Sequence, residues 1–385
     1  MRRLVLECAG RVPTCRDGDG ALDQPPNTPK PSPFPDSSKA APKSAHSKFV
    51  ASSLRVDLNR MEQALPDRLV CAVDLGGTNL RAANIDSSGR VHERVKSQTP
   101  QTEIPAEIVD AIARAVAQCE AEAPNREASI DVVSVVVPGS VHSATGAVVN
   151  APNVPAIVDF GLAEALETEL QRPVLIENDA NAATLGEMWQ GAARGCRTMV
   201  CLTLGTGVGS GIILNGELWR GADGTAGEIG HASVHPFGSV RCKCGNIGCL
   251  EVYASATAIV RMTREALSNH PASQLNSVAA ADLTARQVAD AAARGDELAV
   301  EMFRRMGTYL GIAAANIVNT LNPEMIVIGG GVSAAFDLFA QTAREEMARR
   351  AFPVPVQRCR IVRAECRDDA GLLGAAWLAY QNREG

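Results

Sequence analysis

The feature that most constrains the fold is a pattern that occurs twice in this chain of 385 residues. A strand-like run leads into a glycine turn and then into a second strand-like run. The first copy, DLGGTNLRAANID, begins at Asp74, and the second, LTLGTGVGSGIILNG, begins at Leu202. An internal repeat of strand, glycine hairpin and strand predicts two related α/β lobes.

The rest of the ordered sequence fits this plan. Strand-like and helix-like segments alternate from about Leu69, and the last third is mainly helical, with a capping box at Thr284 and Gln287. Hydrophobic residues make up 46% of the chain, enough for a buried core. We predict a small lobe over residues 67–182, completed by a C-terminal helix at about 367–385, and a large lobe over 183–366.

Residues 1–66 are predicted to form a disordered extension, because prolines recur among Ser, Lys and Asp with little that can pack. A docking or regulatory tail is the alternative. The opening residues do not predict a signal peptide, and no apolar run is long enough to cross a membrane. A net charge of −6 argues against nucleic-acid or membrane partners. Most cysteines stand singly, which is typical of a reducing cytoplasmic protein.

The first glycine turn has the composition of a phosphate-binding loop. Gly76 and Gly77 let the backbone approach an anion, and Thr78 and Asn79 supply hydroxyl and amide donors. Asp74, at the strand end, is suited to hold Mg²⁺ through water. A tight turn without a ligand is the alternative interpretation.

The second turn offers Gly205, Thr206 and Gly207 in the same arrangement, so the two turns could grip one polyphosphate between them. A third glycine cluster, with Gly330 and Gly331, follows a strand, as an adenosine-binding turn does. The Walker and Rossmann glycine patterns are absent from these sites. This absence argues against P-loop and dinucleotide-binding proteins.

An acidic residue at the end of a predicted buried strand is the candidate catalytic group. Asp179 could accept the proton of an attacking hydroxyl during phosphoryl transfer, and the adjacent Asn178 could hold a sugar hydroxyl. Capping of the following helix is the alternative role for this Asn-Asp pair. Gly139 and Asn153 lie on loops that could border the same pocket.

A cysteine-histidine cluster predicts a structural zinc site. His231, Cys242, Cys244 and Cys249 provide three thiolates and one imidazole within a glycine-rich loop. Disulfides would leave one of the three cysteines unpaired, and His235 is a rival ligand. A bound metal would hold the flanking carboxylates of Glu228 and Glu251 where they can accept hydrogen bonds from sugar hydroxyls.

Together these segments resemble the ROK family of the actin-like sugar kinase superfamily. The resemblance covers Leu69 to the C terminus and is most specific from LTLGTGVGSGIILNGELWRGADGTAGEIGH into CKCGNIGCLE. It implies an actin-like (ribonuclease H-like), two-lobed α/β fold with a zinc-binding loop. It also implies homodimers or homotetramers.

The resemblance assigns roles to individual residues. It implies that Asp179 is the catalytic base and that the glycine turns bind the phosphates of ATP, which is used with Mg²⁺. It implies zinc ligation by His231, Cys242, Cys244 and Cys249. The residues that it implies contact the sugar are Gly139, Asn153, Asn178, Glu228, His231 and Glu251.

The implied activity is transfer of the γ-phosphoryl of ATP to the 6-hydroxyl of glucose. A kinase acting on N-acetylmannosamine or N-acetylglucosamine would share nearly every motif, and polyphosphate as an alternative donor is also open. A sugar-sensing regulator is the alternative from another class. It is disfavoured because no helix-turn-helix domain can be drawn in the Pro-rich N-terminal region.

Overall fold

Two five-stranded sheets form the frame of the protein, which we describe from a computed structural model covering residues 68–122, 129–142 and 145–382. In each sheet three antiparallel strands form one side, and two further strands join them in parallel on the other side. The shared arrangement confirms the repeat predicted from the sequence. The predicted disordered extension at 1–66 lies outside the described residues.

The first sheet comprises the strands up to β7, apart from a small separate hairpin formed by β5 and β6. In chain order the strands are β1 (Arg68–Leu75), β2 (Asn79–Ile85), β3 (Val91–Gln98), β4 (Ser129–Val137), β5 (Ser140–Val141), β6 (Val148–Asn150) and β7 (Val174–Asn178). The order across the sheet is β3-β2-β1-β4-β7. From Leu69 to Val73 the β1 strand is apolar and buried, as expected for a central strand that is covered on both faces.

The second sheet has the order β10-β9-β8-β11-β12. Its strands are β8 (Met199–Leu204), β9 (Val208–Leu214), β10 (Glu217–Leu218), β11 (Met325–Gly329) and β12 (Arg360–Arg363). Each fully buried Leu, Ile or Val side chain in these sheets contributes about 1.5–3 kcal/mol relative to an exposed one. The buried side chains of both sheets therefore contribute to the hydrophobic stabilisation.

Ten α-helices accompany the sheets in the described part of the chain. They are α1 (Pro105–Ala121), α2 (Leu162–Leu170), α3 (Asp179–Trp189), α4 (Glu251–Ala254), α5 (Ala256–Ala266), α6 (Ala285–Ala293), α7 (Glu297–Leu321), α8 (Ala340–Arg350), α9 (Pro353–Val356) and α10 (Ala370–Asn382). The predicted capping box is present, with Thr284 at the N-cap of α6 and Gln287 bonded back to it. None of these described helices combines the length and the apolar character needed to cross a membrane.

Helices α3 and α10 connect the two sheets. Ala182 of α3 and Leu372 of α10 pack in a core with β1, β2 and β4, whereas Leu185 of α3 and Trp377 of α10 pack in a core with β8, β9 and β11. The two helices therefore lie between the sheets. The predicted lobe boundary between residues 182 and 183 falls within α3, and the domain limits stay a prediction.

The close approach of α3 and α10 requires glycine. A Cβ atom at Gly374 would lie 1.7 Å from the backbone oxygen of Ala182, and one at Gly186 would lie 2.2 Å from that of Ala370. Both contacts involve backbone, which cannot move aside easily. Glu187 of α3 also contacts the segment before α10, because its buried carboxylate accepts hydrogen bonds from the backbone N–H groups of Glu365 and Cys366.

Candidate active site

A cleft of about 450 Å³ lies where the end of β7, the β8–β9 turn and the loop before residue 228 meet. We call it the central cleft. Ten of the residues predicted from the sequence line it, and they come from both halves of the repeat: Gly139, Asn153, Asn178, Asp179, Gly205, Thr206, Gly207, Glu228, Glu251 and Gly330. Segments far apart in sequence thus converge on one site.

The other predicted site residues lie outside the lining of the central cleft. These are Asp74, Gly76, Gly77, Thr78 and Asn79 of the first turn, His231, Cys242, Cys244 and Cys249 of the cysteine cluster, and Gly331. The first turn nevertheless touches the cleft wall, since a Cβ atom at Gly77 would lie 2.8 Å from Asn153 Cβ. That both turns grip one polyphosphate stays a prediction.

Asp179 is the first residue of α3, directly after β7. Its Oδ1 accepts hydrogen bonds from the Ala180 backbone N–H, at 2.8 Å, and from Asn178 Nδ2, at 3.0 Å. Asp179 is exposed to solvent through the cleft, but protein atoms crowd its carboxylate from the other sides. This partial desolvation, together with the charge of Asp74, raises its pKa to about 6. A carboxylate with this pKa is suited to accept a proton near neutral pH.

Asn178 is the N-cap of α3, as the alternative interpretation predicts. Its Oδ1 accepts a hydrogen bond from Asn181 N, and its Nδ2 donates to the backbone oxygen of Gly139 and to Asp179. Capping does not remove it from the site, because the same residue also lines the cleft. It orients the Asp179 carboxylate and ties it to the loop at Gly139.

Asp74 forms an ion pair with Arg81, the residue opposite it on β2. Arg81 also donates to the backbone oxygen of Asp368, just before α10. The carboxylate oxygens of Asp74 suit Mg²⁺, which prefers oxygen ligands, and Asp74 lies near enough to contribute to the raised pKa of Asp179. The magnesium-binding role of Asp74 stays a prediction.

The second glycine turn is held by the segment that follows the cysteine cluster. Glu251 Oε2 accepts a hydrogen bond from the Val208 backbone N–H at 3.1 Å. The backbone oxygens of Gly205 and Thr206 accept from Ala256 N and Thr257 Oγ1, each at 2.8 Å. The backbone N–H groups and glycines of such a turn can bind phosphate.

The third glycine cluster packs against the same turn. Gly330 has a φ of +76°, which favours glycine, and a Cβ atom there would lie 2.5 Å from the backbone oxygen of Leu204. Gly330 lines the central cleft, and Gly331 follows it at the start of a short 3₁₀ segment. This close approach brings the end of β11 beside the second turn.

The four predicted metal ligands are brought together, with one donor atom from each lying within 4.8 Å of all the others. Cys244 Sγ lies 3.7 Å from Cys249 Sγ, and His231 Nδ1 lies 3.6 Å from Cys242 Sγ. Zn–S bonds of about 2.3 Å in a tetrahedron set the ligand atoms about 3.8 Å apart. The cluster therefore fits zinc, and all three cysteines are free thiols in this structure.

The cysteine-histidine cluster lies against the two predicted sugar-binding carboxylates. Glu251 Oε1 lies 3.5 Å from Cys242 Sγ, and Glu228 Oε2 lies 3.8 Å from His231 Nε2. His231 thus turns Nδ1 towards the cysteines and Nε2 towards Glu228. The predicted rival ligand, His235, lies elsewhere, with its Nδ1 3.2 Å from the hydroxyl of Tyr253.

One ion pair beside the cleft was not predicted from the sequence. Glu177 at the end of β7 is bonded to Arg220, which lies in the loop between β10 and Glu228. Arg220 lies in a glycine-rich segment, and this composition is a local signal for a structured loop. Its partner lies 43 residues upstream, so no local pattern could have predicted the pairing.

Comparisons with known proteins agree with this geometry. The sequence model of the ROK family matches residues 70–382. A glucokinase from Halalkalibacterium halodurans is 38% identical over 323 residues, which cover 82% of this chain and 96% of that protein. An N-acetylmannosamine kinase from Shigella boydii is 33% identical over 308 residues, or 80% and 97% of the two chains.

The fold comparison gives the same result. The crystal structure of a ROK family glucokinase from Streptomyces griseus, in complex with glucose and AMPPNP, superimposes with a TM-score of 0.69 and 34% sequence identity. The match covers 81% of this chain and 99% of that one. The frame of two sheets is therefore the actin-like sugar kinase fold.

Proposed function

We propose that this chain, which belongs to the ROK family and is an ATP-dependent sugar kinase, phosphorylates the 6-hydroxyl of glucose. The observation that carries the proposal is the position of Asp179, a carboxylate of raised pKa that faces a cleft lined by a glycine turn and by Glu228 and Glu251. The similar glucokinases support glucose as the acceptor.

In the proposed reaction Asp179 accepts the proton of the sugar 6-hydroxyl while the hydroxyl oxygen bonds to the γ-phosphorus and the bond to the leaving β-phosphate oxygen breaks. Asn178 and the Ala180 N–H hold the carboxylate in place through the hydrogen bonds to Oδ1. The products are the sugar 6-phosphate and ADP. The proton that leaves the hydroxyl resides on Asp179 until solvent removes it.

The remaining predicted residues bind and orient. Glu228, Glu251 and His231 are proposed to accept or donate hydrogen bonds to the sugar hydroxyls, and Gly139 and Asn153 to border the sugar. The two glycine turns are proposed to bind the ATP phosphates and Gly330 and Gly331 the adenosine. Mg²⁺, held through Asp74, would neutralise phosphate charge. Zinc would hold the loop that carries the two glutamates.

An N-acetylhexosamine kinase is the second candidate, because a similar protein carries the name N-acetylmannosamine kinase. The two functions differ in the room needed around the sugar 2-position, where an acetamido group is larger than a hydroxyl. Oligomeric assembly, cytoplasmic location and the absence of a nucleic-acid partner stay predictions.

A panel of acceptors with ATP tests the proposal. We expect kcat/KM for glucose to exceed that for N-acetylmannosamine and N-acetylglucosamine by at least about 100-fold, because a steric mismatch in a closed pocket is discriminated strongly. Mass spectrometry or ³¹P NMR of the product would identify the 6-phosphate. A higher kcat/KM for an N-acetylhexosamine would overturn glucose as the substrate and leave the kinase class intact.

A further inference from the structure

An ion pair with a buried carboxylate joins the two halves of the repeat beside the central cleft. Glu177 is the last but one residue of β7 in the first sheet, and Arg220 follows β10 of the second. Glu177 Oε2 accepts two hydrogen bonds from the guanidinium, from Nε at 2.9 Å and from Nη2 at 2.7 Å. The Glu177 side chain is only 6% exposed, so solvent screens this contact weakly.

On the Glu177 side, the pair is part of the network that holds the catalytic strand end. Glu177 Oε1 accepts hydrogen bonds from the Asn178 backbone N–H and from Asn181 Nδ2, both at 3.0 Å. Asn178 in turn caps α3 and bonds to Asp179. Movement of the Glu177 carboxylate would therefore disturb the start of α3, where Asp179 lies.

On the Arg220 side, the pair anchors the loop that leads to Glu228. The backbone oxygen of Arg220 accepts a hydrogen bond from Ala226 N at 3.1 Å, which closes the loop on itself. Residues 224–228 of this loop line the central cleft. Further along, Gly227 O accepts a hydrogen bond from Ser210 Oγ, which fixes the end of the loop to β9.

We propose that Arg220 and Glu177 are positioning residues for phosphoryl transfer. The pair sets the distance between the loop that ends at Glu228, on the sugar side, and the strand end that carries Asp179. Neither residue of the pair is assigned a contact with the reacting atoms. The inference rests on the proposed roles of Asp179 and Glu228, and it adds the element that fixes them relative to each other across the two sheets.

The geometry of the contact favours positioning over bulk stabilisation. A guanidinium presents its N–H groups in a fixed fork, so two bonds to one carboxylate define an orientation as well as a distance. A lysine at the same position would supply the charge at a single point. Arg220→Lys is therefore a conservative substitution that keeps the positive charge but removes the oriented pair of hydrogen bonds.

The test compares Arg220→Met and Arg220→Lys with the wild-type enzyme in steady-state kinetics. For Arg220→Met we expect the KM for the sugar to rise by about tenfold or more, with the KM for ATP within about twofold. Arg220→Lys should lie between Arg220→Met and wild type. Glu177→Gln should raise the sugar KM in the same direction, and adding it to Arg220→Met should cost little more, because the contact is already lost.

Arg172→Met is the matched control, since it removes an arginine from the ion pair with Glu120, away from the cleft. It should leave both KM values unchanged. Thermal unfolding of every variant separates the alternatives: a lower midpoint with an unchanged sugar KM in Arg220→Met would mean a structural role alone and would overturn the inference. Asp179→Asn is measured beside them, and wild-type turnover by that variant would instead refute the proposed base.

Discussion

The two glycine turns of the repeat are alike in sequence but are held by different neighbours. The first turn is bonded to the segment after β3, through Thr99 Oγ1 to Gly76 O and Gln101 Nε2 to Gly77 O. The second turn is bonded to the segment after the cysteine cluster, through Glu251, Ala256 and Thr257. Within the part of the chain that the structure describes, therefore, the segment after the cysteine cluster contacts the second turn and not the first.

The two turns also share one feature. In each turn one glycine packs against a residue that is predicted to contact the sugar, Gly77 against Asn153 and Gly207 against Glu251. A phosphate-binding turn and a sugar-binding residue are thus in contact in both halves. The repeat supplies the frame twice, and the segment with the cysteine-histidine cluster is an addition that contacts only the second copy.

The largest expected effect comes from substitution of Asp179. Asp179→Asn removes the proton acceptor but keeps the size of the side chain, so kcat should fall by about 10² to 10⁴-fold while sugar and ATP still bind. Stopped assays for kcat and calorimetry for binding check this. The exposed Asp282→Asn is the control.

The same substitution has a predicted effect on stability. The pKa of Asp179 is raised to about 6, so wild type loses stability as pH rises from about 4 through 6 and its carboxyl ionises. Asp179→Asn should therefore be the more stable protein above pH 6, with the difference vanishing near pH 4. A variant that is less stable than wild type at pH 8 would contradict the desolvated environment.

Loss of a metal ligand should affect the second turn. Cys244→Ser is expected to lower the zinc content from about one equivalent per chain. It should also reduce kcat/KM for the sugar by about tenfold or more, because the metal would no longer fix the loop that positions Glu251. Metal analysis and kinetics on the same preparation check it. Cys359→Ser, remote from the cluster, is the control, and full activity in zinc-free Cys244→Ser protein would refute the account of the loop.

Glycine-to-alanine substitutions, which add one methyl group, compare the two turns directly. A Cβ atom at Gly207 would lie 2.3 Å from Glu251 Oε2, so Gly207→Ala should displace that carboxylate and raise the sugar KM by about tenfold. Gly77→Ala, which meets Asn153, should raise it about threefold to fivefold. Gly161→Ala is the control, since its nearest contact is ordinary. Equal effects at Gly77 and Gly207 would remove the distinction between the turns.

The acid limb of the pH profile depends on the same carboxylate. Because Asp179 must be ionised to accept a proton, kcat/KM should be half its plateau value near pH 6 and fall about tenfold per unit below that. The residual activity of Asp179→Asn should lack this limb. A wild-type profile that is flat down to pH 5 would contradict the raised pKa.

The repeat, the glycine turns and the metal cluster could be predicted because each is encoded in neighbouring residues. Glycine pairs between strand-like runs and closely spaced Cys and His residues are local signals. The capping box at Thr284 was confirmed for the same reason. The sequence alone did not reveal β12, whose four residues, RIVR, are too short a run to give a periodic signal.

Contacts between distant segments could not be predicted. The Glu177–Arg220 pair and the packing of Gly77 on Asn153 depend on how the two sheets meet through α3 and α10. The same applies to the lining of the central cleft, which includes the second turn without the first. Only the packed arrangement determines which of two similar turns reaches the site.

The central claim is that the segment of residues 228–251, when zinc is bound, supports the second turn and not the first. Hydrogen–deuterium exchange of zinc-loaded and zinc-stripped protein tests this claim most directly. On removal of zinc, peptides covering residues 205–209 and 228–251 should exchange faster, because Glu251 no longer holds the Val208 N–H. Peptides covering residues 76–79 should exchange at an unchanged rate. Equal acceleration at both turns, or none at residues 205–209, would contradict the account.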